Sequence, residues 1–220
     1  MKRTLTERIE LFNSSDIYPV VSSNFCNGRD VPDVVASIAR GGAKIIQLRE
    51  KTCSDLMLFE LTKQCKKITD AYNMLLIVDD RLDIAIAAGA DGVHLGQDDL
   101  PISVARKLAP ELLIGASTHN KNEIFEAMNA ECSYLNIGPM FPTKTKSVQC
   151  GALGFEYIEQ LKGYVKCPYS IMGGIKEKHI SMLSSMGYKH IAMVTEITQA
   201  ENIEEKVKQL RSIFNKPMDR

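Results

Sequence analysis

Between Gly138 and Lys146 the chain reads Gly138-Pro139-Met140-Phe141-Pro142-Thr143-Lys144-Thr145-Lys146, directly after the apolar run Ser133-Tyr134-Leu135-Asn136-Ile137. The glycine and prolines fix the approach, and two hydroxyls and two ammonium groups then follow within four residues. Hydroxyls donate hydrogen bonds and lysines supply point charge, a combination suited to an oxygen-rich anion. A solvated basic turn would carry the same residues, so the other polar clusters must decide.

A second cluster is Gln47-Leu48-Arg49-Glu50-Lys51. In a strand, alternation puts Gln47, Arg49 and Lys51 on one face and Leu48 and Glu50 on the other. If Ile45 and Gln47 point inward, an amide and two cations line a mouth with no carboxylate of that face beside them. Cations in a low-dielectric mouth are costly unless an anion answers them. A third cluster is acidic: one strand-like run ends at Asp79-Asp80-Arg81, and the next at Gly96-Gln97-Asp98-Asp99. Carboxylates at neighbouring strand ends, with positions left for water and phosphate oxygens, suit Mg²⁺. Each also fits a helix start, Asp80 with Asp83 and Asp99 ahead of Leu100-Pro101. Ser117 and His119 follow a further run and offer polar contacts without an evident acid–base partner; His94 reads as a satisfied core residue. Gly173-Gly174 and Val194-Thr195 close two later runs, where glycine amides and a helix start can hold a phosphate. Two anion sites emerge, one suited to a diphosphate and one to a monophosphate. Joining two phosphorylated molecules with loss of diphosphate fits them better than hydrolysis does.

The elements that must position these groups alternate along the chain. Strand-like runs fall at Ile17–Val21, 44–48, 75–78, Gly92–Leu95, 112–115, 133–137, 169–172 and 190–194, after a short helix at 6–13. Helical patterns lie between them at 30–40, 54–72, 81–88, 101–108, Lys121–Asn129, 155–161 and Glu177–Ser185, and a last one at 199–214. Strands each followed by a helix require right-handed crossovers and parallel pairing. The repeat favours a single (β/α)8 TIM barrel over residues 1–220, residues 1–15 being a helical extension and 216–220 a frayed tail. The rival is an open doubly wound sheet, but no early glycine-rich turn of dinucleotide type is present. In such a barrel the site lies at the carboxyl ends of the strands, where all three clusters fall.

Composition bounds the partners. Lys+Arg and Asp+Glu are equal at 27 each, so no basic excess marks a nucleic-acid binder. The six cysteines (Cys26, Cys53, Cys65, Cys132, Cys150, Cys167) form no CxxC pair and read as reduced thiols. With no signal-like apolar stretch at the start and no membrane-length run, a soluble cytoplasmic protein is expected.

Taken together, Gln47-Leu48-Arg49-Glu50-Lys51, Asp80-Arg81-Leu82-Asp83, the stretch from Ala90 through His94 to Asp99, the loop from Gly138 to Lys146, and Gly173-Gly174-Ile175 resemble the thiamine-phosphate synthase family, in family order. The resemblance implies a transferase joining hydroxymethylpyrimidine diphosphate to a thiazole phosphate, plain or carboxylated, with release of diphosphate. It implies that Gln47, Leu48, Arg49, Glu50, Lys51, Asp79, Ser117 and Lys146 hold the pyrimidine diphosphate, with Arg49, Lys51, Ser117 and Lys146 acting in catalysis. Asp80 and Asp99 would ligate Mg²⁺. Thr143, Lys144, Thr145, Gly174, Val194 and Thr195 would hold the thiazole phosphate. The implied mechanism is dissociative, resting on electrostatics and positioning. Two positions depart from the family: Asp79 stands where asparagine is common, and Thr195 where serine is common. The alternatives are a thiazole tautomerase on the same barrel, with His119 as acid–base group, and a non-catalytic sensor of phosphorylated thiazole or thiamine phosphate.

Overall fold

The computed structural model describes residues 3–143, 145 and 151–216. Lys144, Lys146, Cys150 and tail residues 217–220 lie outside the described residues. Eight strands among the described residues form a closed parallel barrel in chain order, β8 returning to pair with β1. They are β1 Ile17–Val21, β2 Ile45–Leu48, β3 Leu75–Asp79, β4 Gly92–Leu95, β5 Leu113–Thr118, β6 Tyr134–Ile137, β7 Tyr169–Ile171 and β8 Ile191–Met193. The surrounding helices are α1 Leu5–Asn13, α2 Val31–Arg40, α3 Asp55–Ala71, α4 Leu82–Ala88, α5 Ile102–Leu108, α6 Lys121–Asn129, α7 Phe155–Lys162, α8 Glu177–Ser185, α9 Thr195–Thr198 and α10 Ile203–Phe214.

The strands read as apolar runs because both faces are covered. Alternate residues divide into two cores. Ile46, Leu48, Leu76, Val78, Val93, Ile114, Leu135 and Ile137 pack outward against the helices. Tyr18, Ile45, Leu75, Ile77, Leu113, Tyr134 and Ala192 pack inward. Helix α1 closes the lower end of the inner core. Its Phe12 ring lies 4.5 Å from Tyr134 and 4.7 Å from His190, centroid to centroid. A capping box between Thr4 and Glu7 starts this helix. The buried Asp91 carboxylate ties the same segment to the amino end of β4: Arg3 Nη1 donates to it at 2.8 Å, and Arg8 Nε (3.5 Å) and Lys66 Nζ (3.2 Å) flank it. Asp91 therefore serves the fold rather than the upper mouth.

Most boundaries fall within a residue or two of the sequence expectation, and three differences stand out. β3 extends through Asp79 and β5 through Thr118, so Asp79 and Ser117 sit on strands rather than after them. Pairing of Asp79 with His94 and of Ser117 with Asn136 carries the ladders past the apolar residues that sequence reading follows. The last helix is not continuous from 199. It starts later, as α10 at Ile203, whose N-cap Asn202 accepts from Glu205 N–H at 3.1 Å, and a separate short α9 precedes it directly after β8.

Candidate active site

At the carboxyl end of the barrel two adjoining cavities open, one of about 40 Å³ and one of about 410 Å³. Val20, Phe25, Ser117, Thr145, Met172 and Val194 border both, so the two lie side by side.

The smaller cavity lies between Gln47, Arg49, Asp79, His94 and Ser117. Strand alternation places these side chains inward as expected for Gln47 and Arg49. The cations are answered from the neighbouring strand: Arg49 Nε lies 3.2 Å and Lys51 Nζ 3.3 Å from Asp79 Oδ2. Lys51 also contacts the Asp80 carboxylate directly. Burial works against the Lys51 ammonium, but its Asp80 hydrogen bond and the charges of Asp79 and Asp80 outweigh this and raise its pKa. Read along one strand, the cations lack a carboxylate on their face; β3, paired with β2, supplies Asp79 and, just past its end, Asp80 to them.

Asp80 and Asp99 do not cap helices. The cap positions of α4 and α5 are Arg81 and Pro101, neither with a side-chain cap bond. Asp83, the supposed partner of Asp80 in a cap, accepts instead from Arg81, at 2.9 and 2.6 Å. Asp80 adopts a left-handed backbone with φ 61°, uncommon for a residue other than glycine. Asp99 Oδ2 accepts from Gly96 N–H at 2.7 Å. Its carboxyl pKa is raised, first by burial and then by the Asp80 carboxylate beside it, against the Gly96 hydrogen bond and Lys51. The Asp80 carboxylate, from the end of β3, thus stands beside Asp99, from the loop after β4, an arrangement a divalent cation suits.

The larger cavity is walled by the loops after β6, β7 and β8: Pro139, Pro142, Thr143 and Thr145; Gly173 and Gly174; Val194 and Thr195. Thr143 and Thr145 hydroxyls lie 2.9 Å apart. Gly173 (φ +95°) and Gly174 (φ +64°) are required by packing as well as conformation. A Cβ at Gly173 would lie 2.3 Å from Pro139 Cβ, and one at Gly174 would lie 2.5 Å from the Pro142 carbonyl oxygen. The Gly-Gly pair therefore lets the β7 loop lie against the β6 loop, as Met140 N–H and Phe141 N–H donate to Met172 and Gly173 carbonyls at 2.7 and 3.0 Å.

Of the sequence candidates, Gln47, Arg49, Asp79, Ser117, Thr143, Thr145, Gly174, Val194 and Thr195 meet at these cavities, and Lys51, Asp80 and Asp99 cluster at their rim. Leu48 and Glu50 are placed elsewhere: Leu48 is buried in the outer core, and Glu50 accepts from Ser23 N–H and Oγ–H at 2.6 and 2.7 Å. Their side chains follow the other face of the same alternation. Lys144 and Lys146 lie outside the described residues. Among the described residues no group of three or more His, Cys, Asp or Glu side chains is arranged to hold a metal.

The family model for thiamine monophosphate synthase matches residues 17–197. The chain belongs to the thiamine monophosphate synthase family. It is 40% identical over 209 residues to the thiamine-phosphate synthase of Dictyoglomus thermophilum, covering 94% of each chain. It is 39% identical over 206 residues to that of Pelotomaculum thermopropionicum, covering 93% of this chain and 94% of the relative. Among solved structures, thiamine phosphate pyrophosphorylase from Pyrococcus furiosus superposes with a TM-score of 0.85 at 32% identity, covering 93% of this chain and 97% of the other.

Sequence reasoning missed several residues that line these cavities. Phe25, Lys176 and Gln199 border the larger cavity, yet each arises from a segment without a distinctive motif. Lys176 Nζ donates to Thr195 Oγ1 at 3.3 Å. His119, expected to lack a partner, has Glu123 Oε2 2.8 Å from its Nδ1; the i to i+4 spacing at a helix start was the available signal. His94 is buried as expected, but it also lines the smaller cavity, with Nε2 2.9 Å from Ser117 Oγ.

Proposed function

We propose that the chain joins 4-amino-2-methyl-5-(diphosphooxymethyl)pyrimidine to a thiazole phosphate, carboxylated or plain, forming thiamine phosphate and releasing diphosphate. The observation that carries the proposal is the adjacency of the two cavities, which share six wall residues. A cation–carboxylate rim lies at one and a threonine and glycine wall at the other, so two phosphorylated molecules can meet between them. Family membership supplies the identity of the two halves.

The chemistry of the residues present suits a divalent cation: the Asp80 and Asp99 carboxylates stand beside each other, Asp80 also contacting Lys51. Asp80 and Asp99 would hold Mg²⁺, which supplies positive charge to the departing diphosphate. Arg49 and Lys51 bind and neutralise phosphoryl oxygens, with Lys146 assigned to the same group by family resemblance. Gln47 and Ser117 orient the aminopyrimidine, whose electron-rich ring stabilises the methylene cation left behind. Thr143, Thr145, Gly174, Val194 and Thr195, with Lys144 by resemblance, position the thiazole phosphate so that its nitrogen attacks. Catalysis on this reading is positioning and electrostatics. Among the described residues no helix is long and apolar enough to cross a membrane, and the five described cysteines are free. Both suit an enzyme acting on small phosphorylated substrates in the cytoplasm, without nucleic acid or membrane as partner.

The test is incubation of purified protein with both phosphorylated halves and Mg²⁺, with EDTA controls. Thiamine phosphate and diphosphate are the expected products. Thiazole isomerisation without coupling would identify a tautomerase acting through His119, and tight binding without turnover a sensor.

A further inference from the structure

Beneath the smaller cavity a chain of hydrogen bonds crosses the barrel interior. Gln47 Nε2 lies 3.2 Å from Tyr18 Oη, Tyr18 Oη 2.8 Å from Tyr134 Oη, and Tyr134 Oη 3.2 Å from His94 Nδ1. His94 Nε2 then reaches Ser117 Oγ at 2.9 Å. Both ends, Gln47 and Ser117, border the cavity, while Tyr18 and Tyr134 are fully buried. Burial raises the pKa of both phenols, so each carries one proton at neutral pH. Gly115 makes the crossing sterically feasible: a Cβ there would lie 2.4 Å from Tyr134 Oη and 2.5 Å from His94 Nδ1.

Counting protons fixes the direction of this chain. The amide of Gln47 presents its nitrogen, the donor end, to Tyr18. Tyr18 Oη thus accepts from Gln47, and its single proton goes to Tyr134. Tyr134 in turn donates to His94 Nδ1. A neutral imidazole has one N–H, so with Nδ1 accepting from Tyr134 this direction assigns the His94 proton to Nε2, facing Ser117 Oγ. Ser117 then keeps its own hydroxyl proton for the cavity, and His94 cannot take it. A Ser–His contact that resembles a nucleophile and its base is consequently disarmed. The acceptor end of Gln47 and the donor hydroxyl of Ser117 are the pair left for a ligand, which matches an aminopyrimidine with its amino donor and ring-nitrogen acceptors.

We propose that Tyr18, Tyr134 and His94 are positioning residues that couple the amide orientation of Gln47 to the hydroxyl of Ser117, holding Ser117 as a hydrogen-bond donor to the pyrimidine. The ligand named here rests on the proposed function; the direction of the chain does not.

The experiment is long-range nitrogen–proton NMR on the full-length protein with ¹⁵N-labelled histidine, the His94 signals being assigned by their loss in His94→Gln. The expected wild-type state is neutral with the proton on Nε2. Gln47→Glu offers only acceptors, so it reverses every donor and moves the proton to Nδ1. Tyr134→Phe breaks the chain, and the double variant Gln47→Glu/Tyr134→Phe then shows the same tautomer state as Tyr134→Phe alone. In coupling assays, His94→Gln retains a donor near the Nε2 position and keeps kcat within about 3-fold, whereas His94→Leu lowers it at least ~10-fold, the size of one lost hydrogen bond. A wild-type proton on Nδ1, or a tautomer that ignores Gln47→Glu, overturns the proposal. If the wild type makes no thiamine phosphate, the proposed function fails while the tautomer result still decides the chain's direction.

Discussion

Asp79 stands against two of the cations assigned to the diphosphate, and replacing it by asparagine is the sharpest perturbation of the site. Asp79 Oδ2 lies 3.2 Å from Arg49 Nε and 3.3 Å from Lys51 Nζ, and the Asp79 side chain is 9% exposed against 41% for Lys51. At such distances a pair attracts by about 1.3 kcal/mol at bulk-water dielectric and about 5 kcal/mol at an effective value near 20. Desolvation of the ions offsets much of that attraction. An incoming diphosphate competes with Asp79 for the same cations and is also repelled by it. A phosphoryl charge at ~6 Å, in an effective dielectric of ~40–80, is opposed by roughly 0.7–1.4 kcal/mol. With more than one such charge the net is about 1–2 kcal/mol, so Asp79→Asn should bind diphosphate roughly 5- to 30-fold more tightly. Calorimetric titration of inorganic diphosphate in Mg²⁺ buffer measures this, and the gain should shrink as salt is raised. Unchanged or weaker binding in the variant would refute the reasoning, because Asp79 would then serve the metal or the pyrimidine rather than compete with the ligand.

Asp99→Ala should reduce coupling by about 10² or more in kcat while circular dichroism stays unchanged, since it removes half of the acidic pair. Gly174→Ala should raise the KM for thiazole phosphate, because its methyl meets the Pro142 carbonyl oxygen and displaces the loop that carries Thr143. Phe12→Ala should lower unfolding stability by about 3–5 kcal/mol in urea titration, as it empties the lower end of the inner core. His190 is buried against Ser15, and burial lowers its pKa below the usual histidine value. Both states are neutral above about pH 6.5; below that the unfolded chain takes a proton the folded one resists, so stability falls as pH drops toward the folded pKa. His190→Gln should flatten the decline in urea midpoint between roughly pH 7 and 5, and identical slopes would remove His190 as its source.

The sequence alone determined the order of strands and helices, because buried parallel strands announce themselves as continuous apolar runs and their helices as amphipathic ones. It also brought the candidate clusters to one rim, since a barrel of this topology places every strand's carboxyl end on the same side. Local periodicity separated Gln47 and Arg49 from Leu48 and Glu50, although the family motif contains all four. What chain order could not supply was the partner of each charge. Arg49 and Lys51 meet Asp79 and Asp80 because β2 and β3 lie side by side in register, and His94 meets Ser117 because β4 pairs with β5. The need for Gly115 and Gly173 was equally hidden, for it comes from rings and prolines that approach from other strands. Side-chain type and spacing are properties of the chain and can be read along it. Electrostatic pairing, steric room and the direction of a hydrogen bond depend on distances across the sheet, and only the closed barrel sets those.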